Sequence, residues 1–328
     1  MEFRTTFNIE PSKSKITYND PALFIGSCFA SSIGKQMEIG HMPVMINPAG
    51  AVYNPVSVYN NIDLIINNKV FGSDDLYNNN GTHLSFFHNT EFSSLDPEKV
   101  LNSINGKSKE ARTFIKSAKF LFITFGTARV YRLKKSGVIV SNCHKIPSDF
   151  FIRDLLTVDE IVSLWSDLLN KLSTLYPELK VVFTISPVRH WKDGAHGNQI
   201  SKSVLFLAVE ELLKHHFSPG YFPAYELVMD DLRDYRFYDD DMLHPSSEAV
   251  KYIWNEFTAS YFDNKTYEIW KEVVKITSAA EHHLLTDSPS GIATFAEKML
   301  ENIETVHSKV PSIDLNREKD YFLALLTK

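Results

Sequence analysis

The sequence predicts an α/β fold built on a mostly parallel sheet, and three observations predict it. Short apolar runs at 22–25, 120–125 and 181–185 read as buried strands. Amphipathic helical patterns alternate with them, the order that builds a parallel sheet with helices on both faces. Each run ends in a polar loop bearing glycine or proline, and in such sheets ligands bind outside the C-terminal ends of the strands.

The elements follow in order. Residues 1–20 read as an extended lead-in. The apolar run Pro21-Ala22-Leu23-Phe24-Ile25 stops at Gly26, and Ser27 opens a helix to about Ile39, with Phe29, Ile33 and Met37 at four-residue spacing on its core face. A brief strand then leads into a shaped loop framed by Asn47-Pro48 and Asn54-Pro55 around Gly50. Each proline pushes the asparagine before it out of the helical region. A helix is expected over 56–68, an irregular polar stretch over 74–89, a polar helix over 97–117, a short strand over 138–142 and an amphipathic helix over 157–176. Another helix is expected over 201–216, a short final strand near 225–229 and a helix over 247–262. Beyond Asn264 the pattern becomes wholly helical, at 266–285, 292–306 and 317–326, which suggests a division into 1–263 and 264–328.

Composition bounds the function. A chain of 328 residues with 44% hydrophobic residues, 23% charged residues and a net charge of −6 fits a globular protein with a sizeable core and no nucleic-acid partner. Two cysteines, Cys28 and Cys143, make no disulfide framework and point to a reducing compartment. The first ten residues lack the basic flank and apolar core of a signal peptide, and no apolar run is long enough for a membrane span. A cytoplasmic protein without a membrane partner is expected. No H-E-x-x-H or C-x-x-C pattern occurs, and neither His83 with His88 nor the adjacent pairs His215-His216 and His282-His283 make a shared ligand face, so no metal and no cofactor are expected.

Two stretches carry chemistry. Ser27 falls at a helix N-terminus, where free N–H groups and the helix dipole favour negative charge. It suits either a helix cap or a nucleophile, although Gly26-Ser27-Cys28-Phe29-Ala30 is not the G-x-S-x-G elbow. Far along the chain, Asp241-Met242-Leu243-His244-Pro245-Ser246 joins a carboxylate to a histidine in a loop before a helix. Such a carboxylate can hold an imidazole in the tautomer that accepts a serine proton.

Together these residues resemble the GSCFA domain, a family similar to the SGNH/GDSL hydrolases. Phe125-Gly126-Thr127-Ala128, Asn142-Cys143-His144-Lys145 and Ser186-Pro187-Val188-Arg189-His190 look like further blocks of that family in order, so the resemblance spans about 20–260. It implies a flavodoxin-like three-layer α/β sandwich, here with a C-terminal helical appendage, in which Ser27 is the nucleophile, His244 the general base and Asp241 its orienting partner. It also implies an oxyanion hole from the N–H groups of Ser27 and Gly50. The asparagine donor of SGNH hydrolases is missing, because Gly126-Thr127-Ala128 stands where they carry G-x-N-D. Asn54, Thr127, His144, Arg189 and His190 are the candidate substitutes or substrate contacts.

The activity implied is hydrolysis of a small-molecule or carbohydrate ester, an acetyl ester of a sugar being the first to test. Acyl transfer from the same site and ligand binding without catalysis are the alternatives. The appended helices could pack on the core, cover the cleft or mediate a homodimer.

Overall fold

The computed structural model describes residues 4–281 and 288–327. The predicted His282-His283 pair, the end of the helix expected to Leu285, and Thr286-Asp287 lie outside the described residues.

Alternating side chains in the apolar runs divide the sheet into two faces. Strand β1 (Ala22–Gly26) is followed by helix α1 (Cys28–Ile39), β2 (Val44–Ile46) and α2 (Pro55–Ile66). A hairpin of β3 (Tyr77–Asn79) and β4 (Thr82–Leu84) precedes α3 (Pro97–Ile115) and β5 (Phe120–Phe125). Three antiparallel strands, β6 (Arg129–Leu133), β7 (Ile139–Val140) and β8 (Phe151–Leu155), form a small second sheet before α4 (Val158–Leu175). Then come β9 (Lys180–Ile185), α5 (Gly194–Leu212), β10 (Gly220–Tyr221), the short α6 (Ala224–Glu226) and α7 (Ser247–Tyr261). Helices α8 (Asn264–Glu281), α9 (Pro289–Lys309) and α10 (Asn316–Leu326) close the chain.

The main sheet has the order β10-β9-β5-β1-β2 with every pairing parallel. Taking only its five strands in chain order, this is 2-1-3-4-5, the flavodoxin-like doubly wound arrangement. Ala22, Phe24, Phe120, Phe122 and Val182 face one side and pack with α1, α7 and the C-terminal helices. Leu23, Ile25, Leu121, Ile123, Phe125 and Phe183 face the other and pack with α2 to α5. Two apolar clusters on opposite faces of one buried sheet make three layers.

The helices after Asn264 extend the first cluster. Trp270, Val273, Ile303 and Phe322 belong to the same buried group as Phe29 and Met37. Gly40 leaves room for this packing, since a β-carbon there would fall 2.1 Å from the Trp270 ring, whose Nε1 donates to the Gln36 carbonyl at 2.8 Å. Among the described residues no helix is long and apolar enough to cross a membrane.

Several elements differ from expectation, among them β6 and β8, where no strand is expected. The stretch 74–89 contains the β3–β4 hairpin, turning at Asn80 and Gly81, both with positive φ. Helix α5 begins at Gly194, seven residues before the apolar periodicity becomes visible at Ser201. The last strand is Gly220–Tyr221 and not 225–229. Phe222 still donates to the Phe183 carbonyl, but Pro223 has no N–H to continue the ladder, and Leu227 turns helical by donating to the Pro223 carbonyl.

Candidate active site

Gly26 decides how β1 ends. Its φ is +145°, and a β-carbon would fall 2.2 Å from the Thr124 carbonyl oxygen of β5, so only glycine lets the two strands stay paired through this turn. Ser27 then takes extended backbone angles and caps α1, its Oγ accepting the Phe29 N–H at 3.3 Å. It is 1% exposed and stands in the positive field of the helix N-terminus. Its own N–H donates to the Thr124 carbonyl at 3.2 Å.

The Asp241–His244 loop is built by its own carboxylate. Asp241 Oδ1 accepts the N–H groups of Leu243 at 2.8 Å and His244 at 2.9 Å, while Oδ2 takes the His244 ring at Nδ1, 2.6 Å away. Those bonds, from the His244 N–H first, then its ring and the Leu243 N–H, hold the Asp241 carboxyl down to about 2. A bridge between Tyr238 and Pro245 and the bond from the Asp239 N–H to the His244 carbonyl close the loop at its base. Both side chains remain about half exposed, at 48% and 47%. With Nδ1 committed to the carboxylate, Nε2 is the ring nitrogen left to accept a proton.

Three further loops converge on the same end of the sheet. Asn47 Oδ1 accepts the Gly26 N–H at 2.8 Å and Val52 donates to the Gly26 carbonyl at 2.9 Å, tying the 47–54 loop to the Ser27 turn. The Tyr53 carbonyl accepts the N–H groups of Gly126 and Thr127 at 2.7 and 3.1 Å. Lys202, 2% exposed, donates to the carbonyls of Gly126 at 2.7 Å and Ser186 at 2.6 Å, so one ammonium joins the ends of β5 and β9. Burial pulls Lys202 down to about 7, with the Cys28 thiol opposing and Arg189 adding to the fall.

The candidate oxyanion groups separate by what they already bond. The Gly50 N–H donates to the Asn47 carbonyl at 2.8 Å. Asn54 caps α2, accepting the Ser57 N–H and donating to the Ser57 hydroxyl. Thr127 Oγ1 is engaged with Ser201 and the Arg129 N–H. His144 belongs to another cluster: it bonds to Ser85 and Ser93 and packs on Phe86 behind the loop, and none of these partners lies in the Ser27, Gly126 or Asp241 segments.

His190 is different. Its ring meets Tyr53 edge-on at 5.6 Å, and its Nε2 lies 3.0 Å from where a Gly126 β-carbon would be, so the ring sits close over Gly126. Burial first, then the charges of Lys202, Arg153 and His244, pull it down to about 4, leaving a neutral ring at pH 7. Burial mainly raises the Cys28 thiol, and the Asp241 carboxylate adds a minor part to the rise.

Beside the Asp241 loop opens a cleft of about 550 Å³ lined by Arg189, Trp191, Met229, Tyr235, Tyr238 and Asp241, among others. Asn47, Tyr53 and Lys202 are site residues that sequence reasoning passes over. Of these, only Asn47 carries a local signal, as an Asn-Pro residue that here adopts φ +41°.

Comparison with known proteins adds three findings. The family model of the GSCFA family matches residues 21–257. No curated protein matches the chain. Among solved structures, one provisionally described as a platelet activating factor from Streptococcus pneumonia is similar over 73% of this chain and 83% of its own, at 13% identity and a TM-score of 0.38.

Proposed function

The chain belongs to the GSCFA family, and on that premise we propose that it is a serine-dependent ester hydrolase whose chemistry is that of the SGNH/GDSL hydrolases. One observation carries the reading: an ionised Asp241 is bonded to His244 Nδ1, which leaves Nε2 as the nitrogen that can take a serine proton. Ser27 Oγ attacks the acyl carbonyl carbon as its proton passes to His244 Nε2. The tetrahedral oxyanion collapses, the ester C–O bond breaks, and His244 returns the proton to the departing alcohol oxygen. Water then repeats the sequence on the acyl-enzyme, giving up one proton to His244, which passes it back to Ser27 Oγ as the carboxylic acid leaves.

For the oxyanion, His190 is the donor that the surroundings favour in place of the missing asparagine. Asn54 and Thr127 are committed to their own caps and turns, His144 lies with another cluster, and a neutral imidazole above Gly126 can donate without carrying a charge. The first substrate to test is an acetyl ester, on a sugar or a comparable hydroxyl-bearing molecule.

A second reading, ligand binding without turnover, is favoured by a specific observation: the N–H groups of Ser27 and Gly50 both donate to backbone carbonyls. Hydrolysis of 4-nitrophenyl acetate by the purified chain beside Ser27→Ala separates the two. Turnover lost with the hydroxyl supports the hydrolase, and equal background rates support binding alone.

A further inference from the structure

The 550 Å³ cleft shares Asp241 with the proposed catalytic loop, and its charges are unevenly satisfied. Asp241 is bonded to His244, Asp234 accepts the Arg236 N–H, and Arg233 donates to Thr5. Deeper in the same family of loops, Arg129 and Arg153 both pair with Asp193. Arg233 shares with Arg189 the lack of a carboxylate partner among the described residues, and Arg129 shares a buried Nε without a hydrogen-bond acceptor, but of these arginines Arg189 combines both. Among the described residues it has no carboxylate partner, its Nε is buried without any hydrogen-bond acceptor, and its guanidinium lies 5.7 Å over the Trp191 ring. A buried cationic donor left without an acceptor is costly unless something completes it. Lys202 nearby, an amine, supplies no counter-ion.

The walls describe the rest of the ligand. Trp191, Tyr235 and Met242 are 52%, 78% and 52% exposed around the opening, large apolar groups held out in solvent beside a polar floor. Flat aromatic faces beside Arg189, with Arg233 also on the lining, suit a ring-bearing molecule that carries an oxyanion group.

We propose that this cleft binds the part of the substrate beyond the ester as an anionic ring compound, with Arg189 holding a carboxylate or phosphate group by its guanidinium fork and Trp191 and Tyr235 flanking the ring. Arg189 is thus a specificity-determining residue for that same site. The assignment of the cleft to substrate rests on the hydrolase reading, while the anion preference itself can be measured without turnover.

Calorimetric titration of the full-length Ser27→Ala protein with glucose, glucuronate and glucose 6-phosphate tests it, beside the same protein carrying Arg189→Met or Arg189→Lys. The expected result is that at least one anionic sugar binds ten-fold or more tightly than glucose, and that the preference falls toward one in Arg189→Met. Binding of glucuronate alone or of glucose 6-phosphate alone supports the site and names its anion. Arg189→Lys keeps the stem and the charge but not the fork, so an intermediate preference supports bidentate recognition. It also supplies the comparison if the Met variant does not fold. Equal binding of all three sugars by the unsubstituted Arg189 protein, or an undiminished anion preference in both variants, overturns the proposal. Because Ser27→Ala cannot turn over, failure here counts against the anion site, whereas failure of the 4-nitrophenyl acetate assay counts against the hydrolase.

Discussion

His244 Nδ1 lies 2.6 Å from Asp241 Oδ2, and the other oxygen of that carboxylate is held by two N–H groups of the same loop. The carboxylate is therefore both the scaffold of the loop and the group that fixes the ring tautomer. Asp241→Asn separates these roles. The amide oxygen can still accept the Leu243 and His244 N–H groups, but its NH₂ would donate to Nδ1 and move the ring proton to Nε2. The expected outcome is an unchanged melting temperature with turnover reduced by about 10³–10⁴. Near wild-type turnover would show that another acid orients the ring.

His190 should act on the rate more than on the fold. His190→Phe keeps a ring against Tyr53 but removes the donor above Gly126, and loss of one oxyanion donor costs about 10²–10³ in kcat, or about 2.7–4 kcal/mol. His190→Gln, which restores an N–H donor, should recover part of that loss. Steady-state kcat and KM of the two variants check this, and a change confined to KM would assign His190 to substrate binding instead.

Lys202 gives a pH dependence with a definite sign. The unfolded chain keeps this proton up to about 10.5, and the folded chain releases it near 7 because burial penalises the ammonium. Between those values the unfolded state binds more protons, so the contribution of Lys202 to stability grows as pH rises and is absent below about 7. Urea unfolding of wild type and Lys202→Met at pH 7 and 8.5 should show the difference moving toward wild type, with a slope approaching about 1.4 kcal/mol per pH unit. Cys28 and Arg189 face the amine in both proteins, so their effects largely cancel. A pH-independent difference would mean that the ammonium stays charged while donating to Gly126 and Ser186.

The fit of the C-terminal helices can be tested at Gly40. A methyl group there collides with the Trp270 ring that α8 packs against the core, so Gly40→Ala should cost about 1–3 kcal/mol by overpacking. Denaturant unfolding measures it. An unaltered midpoint would show that α8 docks without relying on this contact.

The sequence makes the fold legible where the chemistry is local. Leu23 and Ile25 alternate with Ala22 and Phe24, and that alternation is the two-faced sheet itself. Asp241 and His244 are three residues apart and bond within one loop, so their relation is written in the spacing. Lys202 is hidden, because its partners are main-chain carbonyls 76 and 16 residues away, and carbonyls have no side-chain signature. The β3–β4 hairpin carries its Asn80-Gly81 turn signal, but the polar strands Tyr77-Asn78-Asn79 and Thr82-His83-Leu84 lack the apolar alternation that marks a strand. The segment 225–229 misleads in the opposite way. Leu227, Val228 and Met229 form a short apolar run that fits a strand or a helix, and Pro223 with the packing beneath it decides for the helix.

The central claim is that Ser27 is the nucleophile, and covalent capture tests it most directly. Incubation of the native chain with a fluorophosphonate, followed by intact-mass and peptide analysis, should show one adduct, located on Ser27. Ser27→Ala should remain unlabelled, and Asp241→Asn should label far more slowly. A wild-type protein that stays unmodified while its cleft still binds ligand, or an adduct on another residue with Ser27 untouched, would contradict the account.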